Sequence, residues 1–210
     1  MKKYTIFILL VLGISVIGII LITLNNQNNI IKNEANANTI KIEKSNIEDN
    51  VDNKNSKQNI EKEISISETP IQEKDKDRIN NINITANAIN GKIIKQGEIF
   101  SFNEVVGNPT PERGYKKAGI IVKGKKEKGY GGGNCQVSST LYDAANKIEG
   151  LEVIERHEHG KNVGYIEKGK DATVVYDELD LKIKNNTQNV IKIYALVEND
   201  KVIVKLIKII

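Results

Sequence analysis

Gly129-Tyr130-Gly131-Gly132-Gly133-Asn134-Cys135-Gln136-Val137-Ser138-Ser139-Thr140-Leu141-Tyr142 is the stretch from which the rest of the chain can be read. It joins a glycine run to a helical pattern and holds the only cysteine among 210 residues. From Val137 the apolar residues Val137, Leu141, Ala144, Ala145 and Ile148 recur at the spacing of one helix face, and Gly150 is the expected C-cap. Cys135 is thereby expected at or just before the first helical turn. Unpaired backbone N–H groups and the positive end of the helix dipole favour a thiolate there. The glycines permit positive φ and a close substrate approach, with N–H groups aimed at an oxyanion. Against this stands the plain reading: a lone cysteine is most often a small buried hydrophobe, and three glycines can be no more than a loop.

Upstream, Tyr4 to Leu24 is an uncharged, mostly apolar run behind Lys2 and Lys3. A helix of about 20 residues spans a bilayer core, and the lysines keep the N-terminus in the cytoplasm. The expectation is a single-pass signal anchor over residues 1–24 with the remainder outside the cell. The small-x-small site Ala35-Asn36-Ala37 lies too far beyond the run for a cleaved signal peptide. Extracellular cysteines normally pair, so one alone is a reactive thiol or half of an intermolecular bridge. Asn25 to Asp75 is rich in Asn, Lys, Glu and Ser without a sustained hydrophobic period, and reads as a disordered stalk. The 31 basic and 27 acidic residues describe an ordinary solvated surface, and no basic cluster interleaved with aromatics points to nucleic acid.

The folded domain is expected over residues 76–210. Ile79, Ile82, Ala86 and Ile89 share a helical face that ends at Gly91. Lys92 to Phe102 reads as strand, turn, strand, Asn103 to Tyr115 as a loop, and Ala118 to Val122 as a strand. After the central helix come strands at Leu151–Arg156, Ala172–Tyr176, Leu181–Lys184, Val190–Val197 and Val202–Ile209, the last two joined at Glu198-Asn199-Asp200-Lys201. The fold class is α+β: mainly antiparallel strands with one or two packed helices. The glycine run lacks the lysine and Ser/Thr of a phosphate loop.

Both histidines of the chain lie in Glu155-Arg156-His157-Glu158-His159-Gly160. In an extended segment they point to one side. Two chemistries follow. Cys135, His157 and His159 could hold zinc, or one histidine could take the proton from Cys135 in a thiolate–imidazole pair. A third polar group usually orients such a base, and Asp171 is the candidate preferred over Glu158 and Asp180.

Phe100-Ser101-Phe102-Asn103, Val106-Gly107, Gly114-Tyr115 and Gly131-Gly132-Gly133-Asn134-Cys135-Gln136-Val137-Ser138 resemble the VanW-like family. So do Leu141-Tyr142, Gly150-Leu151, Arg156-His157-Glu158-His159, Val163-Gly164-Tyr165 and Gly169-Lys170-Asp171-Ala172-Thr173-Val174. The resemblance runs in order from about Arg78 to Lys208. The family is named after an accessory protein of vancomycin resistance, and many members resemble anchored or secreted Gram-positive cell-wall proteins. Clostridial members similar in the core motif are L,D-transpeptidases that cross-link peptidoglycan through a cysteine. The resemblance implies Cys135 as nucleophile on a stem peptide, with His159, at the histidine of the family's Arg-x-x-His, as its base and Asp171 as orienter. It implies substrate contacts at Gly132, Gly133, Asn134, Gln136, Ser138, Tyr142, Arg156 and His157, with helix capping as the plain alternative for Gln136 and Ser138. No cofactor is implied; the expected partners are peptidoglycan stem peptides and, through the anchor, the membrane. A non-catalytic peptidoglycan- or glycopeptide-binding module is the rival reading.

Overall fold

A computed structural model describes residues 60–122 and 125–210 of the chain. The expected membrane span and the stalk before Ile60 lie outside these residues. The elements are β1 (Glu61–Pro70), α1 (Lys76–Ile89), β2 (Ile93–Ile94), β3 (Ile99–Ser101), α2 (Phe102–Val106), a 3-10 turn (Pro111–Arg113), β4 (Ala118–Val122), β5 (Lys125–Gly129), α3 (Asn134–Ala145), β6 (Leu151–Glu155), β7 (Lys182–Asn185), β8 (Val190–Glu198) and β9 (Lys201–Ile209). The domain is α+β, and its paired strands run antiparallel.

The C-terminal hairpin supplies the platform. In β8 and β9 the alternating Ile191, Ile193, Ala195, Val202, Val204 and Leu206 are buried, giving the sheet one apolar face. Asn199 and Asp200 take φ of 49° and 58°, both positive as a two-residue hairpin turn of primed type requires. The four-stranded sheet has the order β1-β9-β8-β2, and a second sheet the order β3-β7-β6. β2 and β3 therefore fall in different sheets, although a short turn joins them. α1 lies on β8, and α3 lies on β9 and β1. Ile82, Ile89, Leu141, Ile183, Ile191 and Leu206 fill one core between them.

Three expectations need correction. The stalk does not extend to Asp75: Glu61–Pro70 is an edge strand paired with β9 from Glu61–Ile209 to Pro70–Lys201. The domain therefore begins before Lys76, and its compact unit is Gln58–Ile210. The strand escapes a hydropathy reading because its inward residues are Ser65, Ser67 and Thr69 while Ile66 faces out. Those hydroxyls bond α3: Ser65 donates to Ala144 C=O at 2.7 Å, Ser67 to Asp143 Oδ2 at 2.7 Å, and Thr69 meets Thr140 at 2.8 Å. Second, Ala172–Tyr176 is no ladder strand. It makes only isolated bridges, Thr173 with His157 and Val175 with Leu179, because its polar backbone is claimed by side chains of α3. Third, α3 ends at Ala145, where the Ile148 N–H turns onto Ala145 C=O, so Gly150 opens β6 and does not cap the helix.

Candidate active site

The glycine run is clamped by α1. Asn81, fully buried, donates to Gly132 C=O at 3.0 Å and to Lys116 C=O at 2.8 Å, and accepts the Lys116 N–H at 2.8 Å. Thr85 donates to Asn134 Oδ1 at 2.8 Å. Gly133 is the N-cap of α3 with φ of 113°, and a Cβ there would lie 2.7 Å from Ile82 Cγ1. A Cβ on Gly132 would lie 2.7 Å from Gly119 O. Both glycines are dictated by close backbone packing rather than by a ligand.

Cys135 is the second residue of α3, half-buried, with its Sγ 3.5 Å from Val174 O. Position at a helix start argues for a thiolate, but burial pushes the thiol pKa up, and the positive charge of Arg78 does not reverse this. The sulfur therefore rests as the thiol.

His159 lines the same cleft as Cys135. His159 Nδ1 is 2.6 Å from Asp171 Oδ2, and the His159 backbone N–H donates to the same oxygen at 2.8 Å. Both side chains are only 7% exposed. Burial disfavours the Asp171 carboxylate, yet these hydrogen bonds and the histidine's proximity hold its pKa below the ordinary value. An ionised carboxylate only accepts, so Nδ1 carries the hydrogen, and in the neutral form of the ring the lone pair falls on Nε2. Asp171 is fixed in turn by Arg156, whose Nε donates to its backbone oxygen at 2.7 Å and whose Nη2 is 3.3 Å from Oδ1. Arg156 also reaches Glu158 and lies 4.6 Å from the centre of the Tyr142 ring.

The histidines part company. His157, 39% exposed, pairs with Glu155 at 3.0 Å. Lys182, His157 and the Asp180 N–H together hold the Glu155 carboxyl down to about 2. Among the described residues no group of three His, Cys, Asp or Glu is arranged to hold a metal ion, so Cys135, His157 and His159 do not form the zinc set. Asp180 accepts from Ser101 at 2.6 Å and from the Asn103 N–H at 2.9 Å, well occupied at the start of α2.

Cys135 and His159 line one cleft of about 1060 Å³. Of the expected contact residues, Asn134 and Gln136 line it too, whereas Gly132, Gly133, Ser138, Tyr142, Arg156 and His157 do not. Neither Gln136 nor Ser138 caps the helix. Gln136 accepts from Arg78 Nη2 at 2.9 Å and donates to Pro70 O at 3.0 Å, while Ser138 donates to Ala172 O at 2.7 Å. Sequence reasoning missed Arg78, Tyr165 and Thr173, all cleft-lining. Arg78 lies on α1 with its side chain 11% exposed, and its Nε is 3.5 Å from Glu73. Arg78 stands three residues after the Asp75 cap, and the available signal for Tyr165 and Thr173 was their place in the family motifs quoted above.

The chain belongs to the VanW-like family: the family model described as VanW like protein matches residues 77–207. It is 44% identical over 120 residues to the uncharacterized protein YoaR of Bacillus subtilis (strain 168), a match covering 57% of this chain and 39% of that protein. It is 32% identical over 132 residues to the vancomycin B-type resistance protein VanW of Enterococcus faecalis (strain ATCC 700802 / V583), covering 60% of this chain and 47% of that protein. The matched region is thus less than half of either relative. No solved structure matches the chain.

Proposed function

We propose that this VanW-like domain is a cell-surface cysteine acyltransferase of L,D-transpeptidase type that acts on peptidoglycan stem peptides. The observation that carries the reading is the pairing, in one cleft, of a protonated Cys135 with a His159 whose Nδ1 is fixed 2.6 Å from the buried Asp171. His159 Nε2 takes the Sγ proton as sulfur attacks the carbonyl carbon of a donor stem. The tetrahedral adduct collapses by breaking the C–N bond, and the imidazolium returns that proton to the departing amine. The thioester left on Cys135 is then attacked by the amine of a second stem. His159 takes a proton from that amine and gives it back to the leaving sulfur. Asp171 stabilises the imidazolium at each stage.

A peptidoglycan substrate is supported by the resemblance to transpeptidase members and by the name of the enterococcal relative, a vancomycin resistance protein. The apolar run Tyr4–Leu24 behind Lys2 and Lys3 is read as the anchor that holds the domain outside the membrane. A binding-only module is the second reading, favoured by the buried thiol and its bond to Val174. Incubation of the full-length protein with tetrapeptide-stem muropeptides, followed by separation of products, tests the two. Cross-linked dimers formed by the wild type and absent with Cys135→Ala support the acyltransferase. Equal binding by both proteins with no product supports the binding module.

A further inference from the structure

Around the start of α3, buried polar side chains are met with care. Ser139 donates to Cys135 C=O at 2.6 Å and accepts the Ala172 N–H at 2.9 Å. Gln136, Ser138 and Asn134 are bonded as described above. Among the described residues two buried side-chain polar atoms have no hydrogen-bond partner, the hydroxyl of Tyr165 and Oγ1 of Thr173. Both residues line the cleft of Cys135 and His159. Folded proteins rarely leave such groups unpaired, since each forfeits the hydrogen bonds it would make to water. That both orphans fall at one site, and at this one, is not what packing alone produces.

The backbone supplies few donors there. The Asn134 N–H is taken by Gly131 O and the Gln136 N–H by Gly133 O, each at 3.0 Å. The N–H of Cys135 stands between them and favours the ionised form of its own sulfur. A side-chain hydroxyl at this site would add a donor to those of the backbone. Tyr165 is suited to it. Burial above all pushes its ionisation well above that of an ordinary tyrosine, so its hydroxyl keeps its hydrogen. Ser139 stands beside it, with its own hydrogen already committed to Cys135 C=O. Thr173 immediately precedes Val174, whose carbonyl receives the Cys135 thiol.

We propose that the Tyr165 hydroxyl is the side-chain donor to the oxyanion formed when Cys135 attacks, and that the Thr173 hydroxyl binds the peptide backbone of the same acyl donor. The inference rests on the acyl-transfer reading. When the C–S bond forms, the carbonyl π pair moves onto oxygen; Tyr165 donates a hydrogen bond to that O⁻ and keeps its proton. When the pair returns, the C–N bond breaks and the amine leaves with the proton from His159. A donor bonded to nothing beforehand breaks no bond to act, which is the condition for electrostatic preorganisation.

Tyr165→Phe and Thr173→Val in the full-length protein test this. Single-turnover acylation by a tetrapeptide-stem muropeptide is followed by intact mass across donor concentration, and thermal unfolding is followed separately. For Tyr165→Phe the expected result is a maximal acylation rate lower by about 10²-fold, a little-changed half-saturating concentration and an unfolding midpoint that does not fall. For Thr173→Val the half-saturating concentration rises several-fold and the midpoint again holds. Wild-type acylation rates in Tyr165→Phe, or a rate loss that follows a lowered midpoint, overturn the proposal. No acylation by the wild type overturns the acyl-transfer reading, and this inference with it.

Discussion

The two flanks of α3 bury the same kind of side chain and treat it in opposite ways. On the β1 flank a closed ring runs from Gln136 Nε2 to Thr69 Oγ1, from Thr69 to Thr140 Oγ1, and from Thr140 back to Gln136 C=O at 2.7 Å. Because Thr140 gives its hydrogen to that carbonyl, Thr69 must be the donor between the two hydroxyls. On the cleft flank the hydroxyls of Tyr165 and Thr173 are buried and bonded to nothing. A satisfied hydroxyl network specifies how strand and helix dock; unsatisfied hydroxyls beside a thiol and a base are held ready for something else. One flank is built for stability, and on the proposed acyl-transfer reading the other gives some of it up for function.

Removing the satisfied flank altogether carries the largest expected effect. A fragment of residues 76–210 lacks β1, exposes one edge of β9 and strips partners from Gln136, Thr140 and Asp143. It is expected to lose cooperative unfolding, whereas a fragment of residues 58–210 retains it; circular dichroism melts of the two decide the matter. Cooperative unfolding of the shorter fragment would show β1 to be an accessory.

On the cleft flank, His159→Ala should slow acylation by about 10²–10⁴-fold, as loss of a general base does. His157→Ala should leave the rate within about threefold of the wild type, since removing an exposed surface partner changes little. Equal losses would erase the distinction between the buried and the exposed histidine. Next in size come the hydroxyls themselves. Thr69→Ala breaks the ring and should cost about 1–3 kcal/mol in urea unfolding, against no loss for Tyr165→Phe. A similar loss in both would mean that the two flanks do not differ.

Acid sensitivity is the smallest effect. Glu155 is held down to about 2, below its unfolded value of about 4.3, and Asp171 is also lowered. A depressed carboxyl stabilises the fold fully above its unfolded pKa and loses that contribution as pH falls through the folded one. Stability should therefore drop between about pH 4.5 and pH 2, and Glu155→Gln should flatten part of that limb while leaving the Asp171 part. An unchanged limb in urea midpoints measured at pH 7, 4 and 3 would remove Glu155 from the account.

Much of this was legible in the sequence wherever burial is apolar and periodic. The face of α1, the start of α3 and the β8–β9 hairpin all follow from hydrophobic spacing and turn chemistry. Asp171 beside His159 was also within reach, from residue type and the order of the motifs. What escaped was held by polar atoms. β1 turns Ser65, Ser67 and Thr69 inward and Ile66 outward, so its alternation reads backwards. Arg78 occupies a polar position of a helix whose apolar stripe drew the attention, although its guanidinium bonds Gln136. Ala172–Tyr176 has the composition of a strand but is pinned by Cys135, Ser138 and Ser139. Tyr165 sits outside any element, where no period exists to mark it.

The most direct measurement is the intact mass of the full-length protein, quenched in acid within seconds of mixing with a tetrapeptide-stem muropeptide. The account predicts a species heavier by the acyl part of the donor, mapped to Cys135, lost on hydroxylamine treatment and absent in Cys135→Ala. An unmodified wild-type mass, with the muropeptide demonstrably bound, would contradict it.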